Sequence, residues 1–223
     1  MADDRNRMPK RTLIPIALLF ALVDAAHAQT IPPDMQKILT AALTPGAHVR
    51  GASTAPLTLE EFSDLQCPDS KQSWAVMKSL LGHYGDNLRY IRHHLPLPYH
   101  RNAFDAAQAA EVAHEKGKFW EMVDLLFEKQ DDWNKLTDKK EVLEKFAGYA
   151  ASLGIDRSAF IQGMDNREIN LRVRASWKFG AGRGMNGTPS FALNGAKIEG
   201  DPGWTLENWE QILDPLLARY QKK

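Results

Sequence analysis

The sequence holds one cysteine, Cys67, among 223 residues. No disulfide can form within the chain, so any sulfur chemistry must run through a single thiol and an external partner. Net charge is also lacking, because 28 Lys and Arg offset 28 Asp and Glu. That balance excludes the basic excess that tracks nucleic-acid phosphates, and it supplies no acidic tail. Long apolar runs are scarce. The stretch Leu13–Val23, interrupted by Pro15, falls short of the roughly 20 residues a membrane-spanning helix needs, and nothing later approaches that length. What the chain does have is 43% hydrophobic residues, enough for one globular core.

The first residues have the order of a secretory leader. Arg5, Arg7, Lys10 and Arg11 precede the apolar stretch, and Ala26-His27-Ala28 supplies a small-x-small cleavage pattern. We expect a signal peptide over 1–28, cleaved after Ala28. The implied location is periplasmic or secreted, and the mature chain is expected to carry no membrane span. Residues 29–55 read as an N-terminal arm, punctuated by Pro32-Pro33, Pro45-Gly46 and Gly51 to Pro56, with a short helix over Met35–Leu43. A single domain is expected over 56–221.

Within that domain the pattern is strand, helix, strand, a helical block, hairpin, helix. Leu57–Phe62 is strand-like. Pro68 suits a first helical position, where its missing N–H costs nothing, and Trp74, Met77, Leu80 and Leu81 then recur at helical spacing. Leu88–His94 reads as a second strand, ended by Pro96 and Pro98. Helical pieces are expected over Phe104–Lys116, Phe119–Lys129, Asp138–Leu153 (with Thr137 as N-cap and Gly154 past the end) and Ile169–Phe179. Asn194-Gly195 between Ser190–Leu193 and Ala196–Glu199 is a strong hairpin signal. An amphipathic helix over Thr205–Tyr220, with Pro215 inside it, closes the chain. The fold class that follows is α/β, a mixed sheet flanked by helices.

The chemistry centres on Phe62-Ser-Asp-Leu-Gln-Cys67-Pro68-Asp69-Ser70-Lys71. A thiol at a helix start meets unpaired N–H groups and the positive end of the helix dipole, and both favour the thiolate. The polar neighbours Gln66, Asp69 and Ser70 lead us to expect Cys67 at the surface. Lys71 would support the thiolate, and Asp69 would oppose it. Gly187-Thr188-Pro189-Ser190-Phe191 opens a later strand, and Glu61 lies on the strand leading to Cys67.

With those residues in view, the chain resembles the thioredoxin superfamily, and specifically the DsbA-like thiol:disulfide oxidoreductases. Arg92 to His100 and Gly117 to Met122 look like family landmarks around an insertion. The resemblance implies a thioredoxin fold with an inserted α-helical subdomain over about 101–183. It implies Cys67 as nucleophile and a cis Pro189 facing it. It also implies that Thr188 offers its backbone to an extended peptide and that Glu61 is a buried acid relaying protons. Pro68 and Asp69 join Thr188 and Pro189 in the substrate-binding set. One departure governs the rest: where the family has Cys-x-x-Cys, the fourth position here is Ser70. Ser70 cannot resolve a mixed disulfide, and is expected instead to donate a hydrogen bond to the thiolate.

The expected activity is therefore monothiol thiol–disulfide exchange: reduction, isomerisation or deglutathionylation. Partners are protein or peptide thiols and disulfides, with glutathione as candidate co-substrate and no bound cofactor. Two other readings stand beside it. One is a redox-inactive peptide-binding or chaperone module, and the other a glutathione-using transferase on the same fold. Strand alternation suggests that only one of Glu60 and Glu61 points inward, and Glu61 is assigned that place. His93, His94 and His100 match no common zinc spacing, and alternation sends His93 and His94 to opposite faces, so no metal is expected.

Overall fold

The protein is described from a computed structural model, over residues 46–221. The expected signal peptide, its cleavage site and the short helix over Met35–Leu43 lie outside the described residues. The elements in order are β1 (Ala47–Arg50), β2 (Leu57–Ser63), α1 (Pro68–Tyr84), β3 (Leu88–His94), α2 (Ala103–His114), α3 (Phe119–Glu128), α4 (Gln130–Trp133), α5 (Lys139–Ser152), α6 (Arg157–Met164), α7 (Arg167–Gly182), β4 (Ser190–Leu193), β5 (Ala196–Lys197) and α8 (Leu206–Gln221). A five-stranded sheet runs in the order β1-β3-β2-β4-β5. The β2–β3 pair is parallel and the other pairs are antiparallel.

The sheet is covered on both faces, and this decides where the acids go. Leu57 and Leu59 of β2 belong to the main core with Trp74, Met77 and Leu80 of α1, Phe191 of β4 and Trp209 of α8. On the other face Phe62 packs with Leu95, Met185 and Ala192. Alternation therefore buries Glu61 on the first face and Glu60 on the second. The expectation that only one of the two points inward is corrected, because it assumed a sheet with one wet face. Each carboxylate is paired, as its burial demands. Glu60 meets His93 at 3.0 Å and Arg183 at 2.8 Å.

Local chemistry explains most element ends. Pro68 is the first residue of α1, and Asp69 places an acid in its first turn. Asn194 and Gly195 both take positive φ (49° and 84°), as a two-residue hairpin turn requires. Asn194 Oδ1 also accepts from the Thr58 N–H at 2.7 Å, which ties the turn to the next strand.

Several expectations need correction. Ala47–Arg50, placed in a linking arm, forms the edge strand β1 against β3. Four residues between Gly46 and Gly51 give too short a pattern to stand out, and only pairing defines them. The N-cap of α5 is Asp138, not Thr137: its side chain accepts from the Lys140 N–H. Both α4 and α6 fall inside the expected helical block but were not among its named pieces, being short. The hairpin's second strand ends at Lys197 rather than Glu199.

Candidate active site

Three stretches build the site: the loop from β2 to α1, the turn before β4, and the segment between β3 and α2. Cys67 occupies the N-cap position of α1, with φ −72° and ψ 127°. No side chain caps that helix end, so the thiol shares the space with free N–H groups. Thr188-Pro189 is a cis peptide bond, and the Cys67 Sγ lies 3.3 Å from the Thr188 carbonyl oxygen. The expected juxtaposition of Cys67 with the cis-proline turn is present.

The expectation of an exposed thiol is corrected: Cys67 is 5% exposed. Pro68 and Asp69 take the surface instead, and the turn carrying Thr188 covers the sulfur. Lys71 turns away from the thiol towards Asp131, 3.5 Å distant and exposed. Ser70 is fully buried, and its Oγ accepts from the Asp64 N–H at 3.4 Å. The hydrogen bond it makes thus closes the loop between β2 and α1, rather than reaching the Cys67 sulfur.

Glu61 is likewise wholly buried. Ser73 Oγ donates to it at 2.8 Å, Arg92 Nη1 at 3.0 Å, and the Tyr90 hydroxyl also donates. Its two oxygens are engaged by this set, in which Arg92 further reaches Ser63. Burial, reinforced by the Glu61 charge, pushes the Tyr90 hydroxyl well above its ordinary range, so it remains a donor. These partners make Glu61 the centre of a buried ion-pair network beneath the sheet's active end.

Sequence reasoning overlooked the residues that hold the Cys67 loop in shape. Asp64 is buried; its Oδ1 accepts from the Gln66 N–H, and its Oδ2 accepts from the Leu97 N–H and meets His100 Nδ1, both at 2.8 Å. That hydrogen bond raises the His100 pKa above its ordinary value. Gln66 bridges outward, donating to the Asn134 carbonyl and accepting from the Asn102 N–H, each at 2.6 Å. Gln130 Nε2 donates to the carbonyls of Leu65 and Cys67. The available signal was Asp-x-Gln directly before the cysteine: short polar side chains that commonly bond to nearby backbone.

A groove of about 220 Å³ lies beside Pro189, lined by Asn186, Gly187, Ser190, Phe191 and Lys197 among others. Pro189 therefore faces a cleft on one side while Thr188 faces Cys67 on the other.

A thiol at a helix start, set against a cis X-Pro turn at the head of an antiparallel strand, defines a protein of the thioredoxin class. The chain belongs to the thioredoxin family, whose model matches residues 43–215. Curated relatives include the Na(+)/H(+) antiporter NhaA of Herminiimonas arsenicoxydans, 33% identical over 153 residues that make up 69% of this chain and 23% of that protein. Another is the Na(+)/H(+) antiporter NhaA 3 of Salinispora tropica, 36% identical over 154 residues, 69% of this chain and 22% of that one. The chain thus spans less than a quarter of the length of these two relatives. Among the described residues no helix is long and apolar enough to cross a membrane.

Similar solved structures include a thioredoxin-like oxidoreductase from Silicibacter pomeroyi, at TM-score 0.60 and 24% identity, covering 80% of this chain and 94% of that one. BdbD from Bacillus subtilis matches at TM-score 0.66 and 20% identity, covering 78% and 96%. Alpha-DsbA1 from Wolbachia pipientis matches at 0.66 and 19%, covering 78% and 92%. At these identities the likeness is one of fold: a thioredoxin-like sheet with helices inserted before the cis-proline turn.

Proposed function

We propose that this chain catalyses monothiol thiol–disulfide exchange through Cys67, in the periplasm or outside the cell after removal of its leader. The observation that carries the proposal is the placement of Cys67 Sγ at an uncapped helix start, 3.3 Å from the Thr188 carbonyl of the cis turn. In the first step the Cys67 thiolate attacks one sulfur of a disulfide. A Cys67–sulfur bond forms, the original S–S bond breaks, and its second sulfur leaves as a thiolate. In the second step an external thiol of the glutathione class attacks the mixed disulfide. Cys67 leaves as thiolate, and the released group now carries the external sulfur. Electrons balance without an internal second cysteine. Glu61, by this reading, acts on the site through its network, and Thr188 and Pro189 shape the surface that meets the peptide.

The names of the similar solved structures, thioredoxin-like oxidoreductase and DsbA among them, support the reaction class. The test is turnover of a peptide–glutathione mixed disulfide in excess glutathione. The unaltered protein is expected to release free peptide catalytically, and Cys67→Ala to release it at the background rate. Equal rates would overturn the proposal.

A second reading draws on the 5% exposure of Cys67 and the absence of a resolving thiol at Ser70. It is a peptide-binding module using the groove beside Pro189, in which the sulfur only packs. It predicts peptide affinity that survives Cys67→Ala with no turnover in either protein.

A further inference from the structure

On the face of the sheet shared by Tyr90 and Arg92, three metal-ligating side chains converge. His48 comes from the edge strand β1, His94 from the end of β3 and Glu111 from α2. The register explains the meeting. His48 pairs with Arg92, so it shares a face with His94 two residues further along β3. Helix α2 lies over that face and lowers Glu111 between the rings. His48 Nε2 stands 2.7 Å and His94 Nε2 3.1 Å from the same oxygen, Glu111 Oε1. One ligand atom from each residue lies within 4.8 Å of the others.

We infer that His48, His94 and Glu111 form a binding site for a divalent transition cation of the zinc type. Two imidazoles and one carboxylate, with a fourth position left over, are a common zinc donor set. Bonds of about 2.0–2.2 Å in a tetrahedron place ligand atoms about 3.3–3.5 Å apart, so the ring nitrogens, now 2.7 and 3.1 Å from Glu111 Oε1 in hydrogen bonds, would withdraw by a few tenths of an ångström to admit a cation. The second oxygen of Glu111 is an independent sign. Oε2 is buried in a residue with no exposed surface, yet it has no hydrogen-bond partner. Arg172 Nε forms an ion pair with it at 3.3 Å, without the alignment of a hydrogen bond, while Arg172 Nη2 pairs with Glu115. A buried carboxylate oxygen held by an ion pair but by no hydrogen bond keeps acceptor capacity that a bound cation can use.

Each imidazole would carry its proton on Nδ1 and offer Nε2 to the metal. His114, exposed and with its ring 4.6 Å from that of His48, stands at the open side, where it or a water completes the set. A cation here would clasp the edge strand and α2 to β3.

The test separates this site from the thiol by using Cys67→Ala as the parent protein. Zinc is titrated against a competing chromophoric chelator, and the histidine ring nitrogens are followed by 15N NMR. One zinc per chain is expected, with shifts at both His48 and His94. In Glu111→Gln, which keeps the shape of the side chain, affinity should fall at least about tenfold. Absence of zinc binding in the parent would overturn the inference, as would binding that leaves the His48 and His94 rings unshifted. Should Glu111→Gln fail to fold, the ring shifts in the parent decide the matter alone. None of these outcomes depends on whether Cys67 performs exchange.

Discussion

The Cys67 sulfur and the Thr188 carbonyl oxygen stand 3.3 Å apart, although 121 residues separate them in sequence. This contact joins the helix start to the cis turn and gives the site both its nucleophile and its backbone acceptor. It also shields the sulfur, which is why the thiol is buried beneath a turn rather than presented on a ridge.

Restoring a second thiol should convert the chemistry. Cys67 and position 70 lie one helical turn apart, about 5–6 Å, inside the range a disulfide bridges. Ser70→Cys is expected to show two free thiols when reduced and none after mild oxidation, against one in the unaltered chain. Reduction of insulin by a chemical dithiol should then be accelerated. Two thiols that stay free under oxidation would show that the loop lacks the geometry of a dithiol site.

Glu61 and Arg92 form an ion pair with no exposed side-chain surface. Removing one member leaves the other charge buried and alone, which costs about 3–5 kcal/mol. Arg92→Met should therefore lower the urea midpoint sharply. The double substitution Glu61→Gln with Arg92→Met should recover part of the loss, since no isolated charge remains. A double variant that is less stable than the single by the full sum would contradict this account of the network.

The Asp64–His100 pair predicts a pH signature. Its hydrogen bond raises the folded pKa of His100 above the unfolded value of about 6.5. The stabilisation is then fully present below about pH 6.5 and is lost as pH rises through the folded pKa. His100→Asn should accordingly lower the Tm more at pH 5.5 than at pH 8.5. An equal drop at both values would mean the pair contributes as a neutral hydrogen bond only.

Gly51 has φ +88°, and a Cβ there would collide with the Leu88 carbonyl oxygen. Gly51→Ala is expected to cost at least about 1–3 kcal/mol, from strain at positive φ and displacement of β3. Chemical unfolding reads this directly. A change under about 0.5 kcal/mol, the size of an ordinary surface substitution, would contradict it.

How much of this was legible in the sequence depends on range. Signals carried by a few adjacent residues held. Cys67-Pro68 marked a helix start and Asn194-Gly195 a hairpin, while the cis Thr188-Pro189 turn beside the thiol was implied by the family resemblance. Features created by pairing and covering did not. The strand status of Ala47–Arg50 exists only against β3, and the burial of both Glu60 and Glu61 requires helices on both faces. The burial of Cys67 comes from a turn 121 residues away, which its polar neighbours could not reveal. The histidines illustrate both sides. Alternation correctly separated His93, which meets Glu60, from His94, which meets Glu111. It could not show that His48 and Glu111 would arrive beside His94, because no spacing in the chain records that meeting.

The central claim is that Cys67 is a prepared nucleophile despite its burial. The most direct test is the rate at which oxidised glutathione forms a mixed disulfide with the native protein, followed by intact mass and compared with the same chain unfolded in urea. The account predicts that the native thiol reacts at least about tenfold faster than the unfolded one, because the fold sets the sulfur at a helix start beside the cis turn, and that added thiol removes the adduct. A native protein that stays unmodified while the unfolded chain reacts would contradict it, and would make Cys67 a buried, inert side chain.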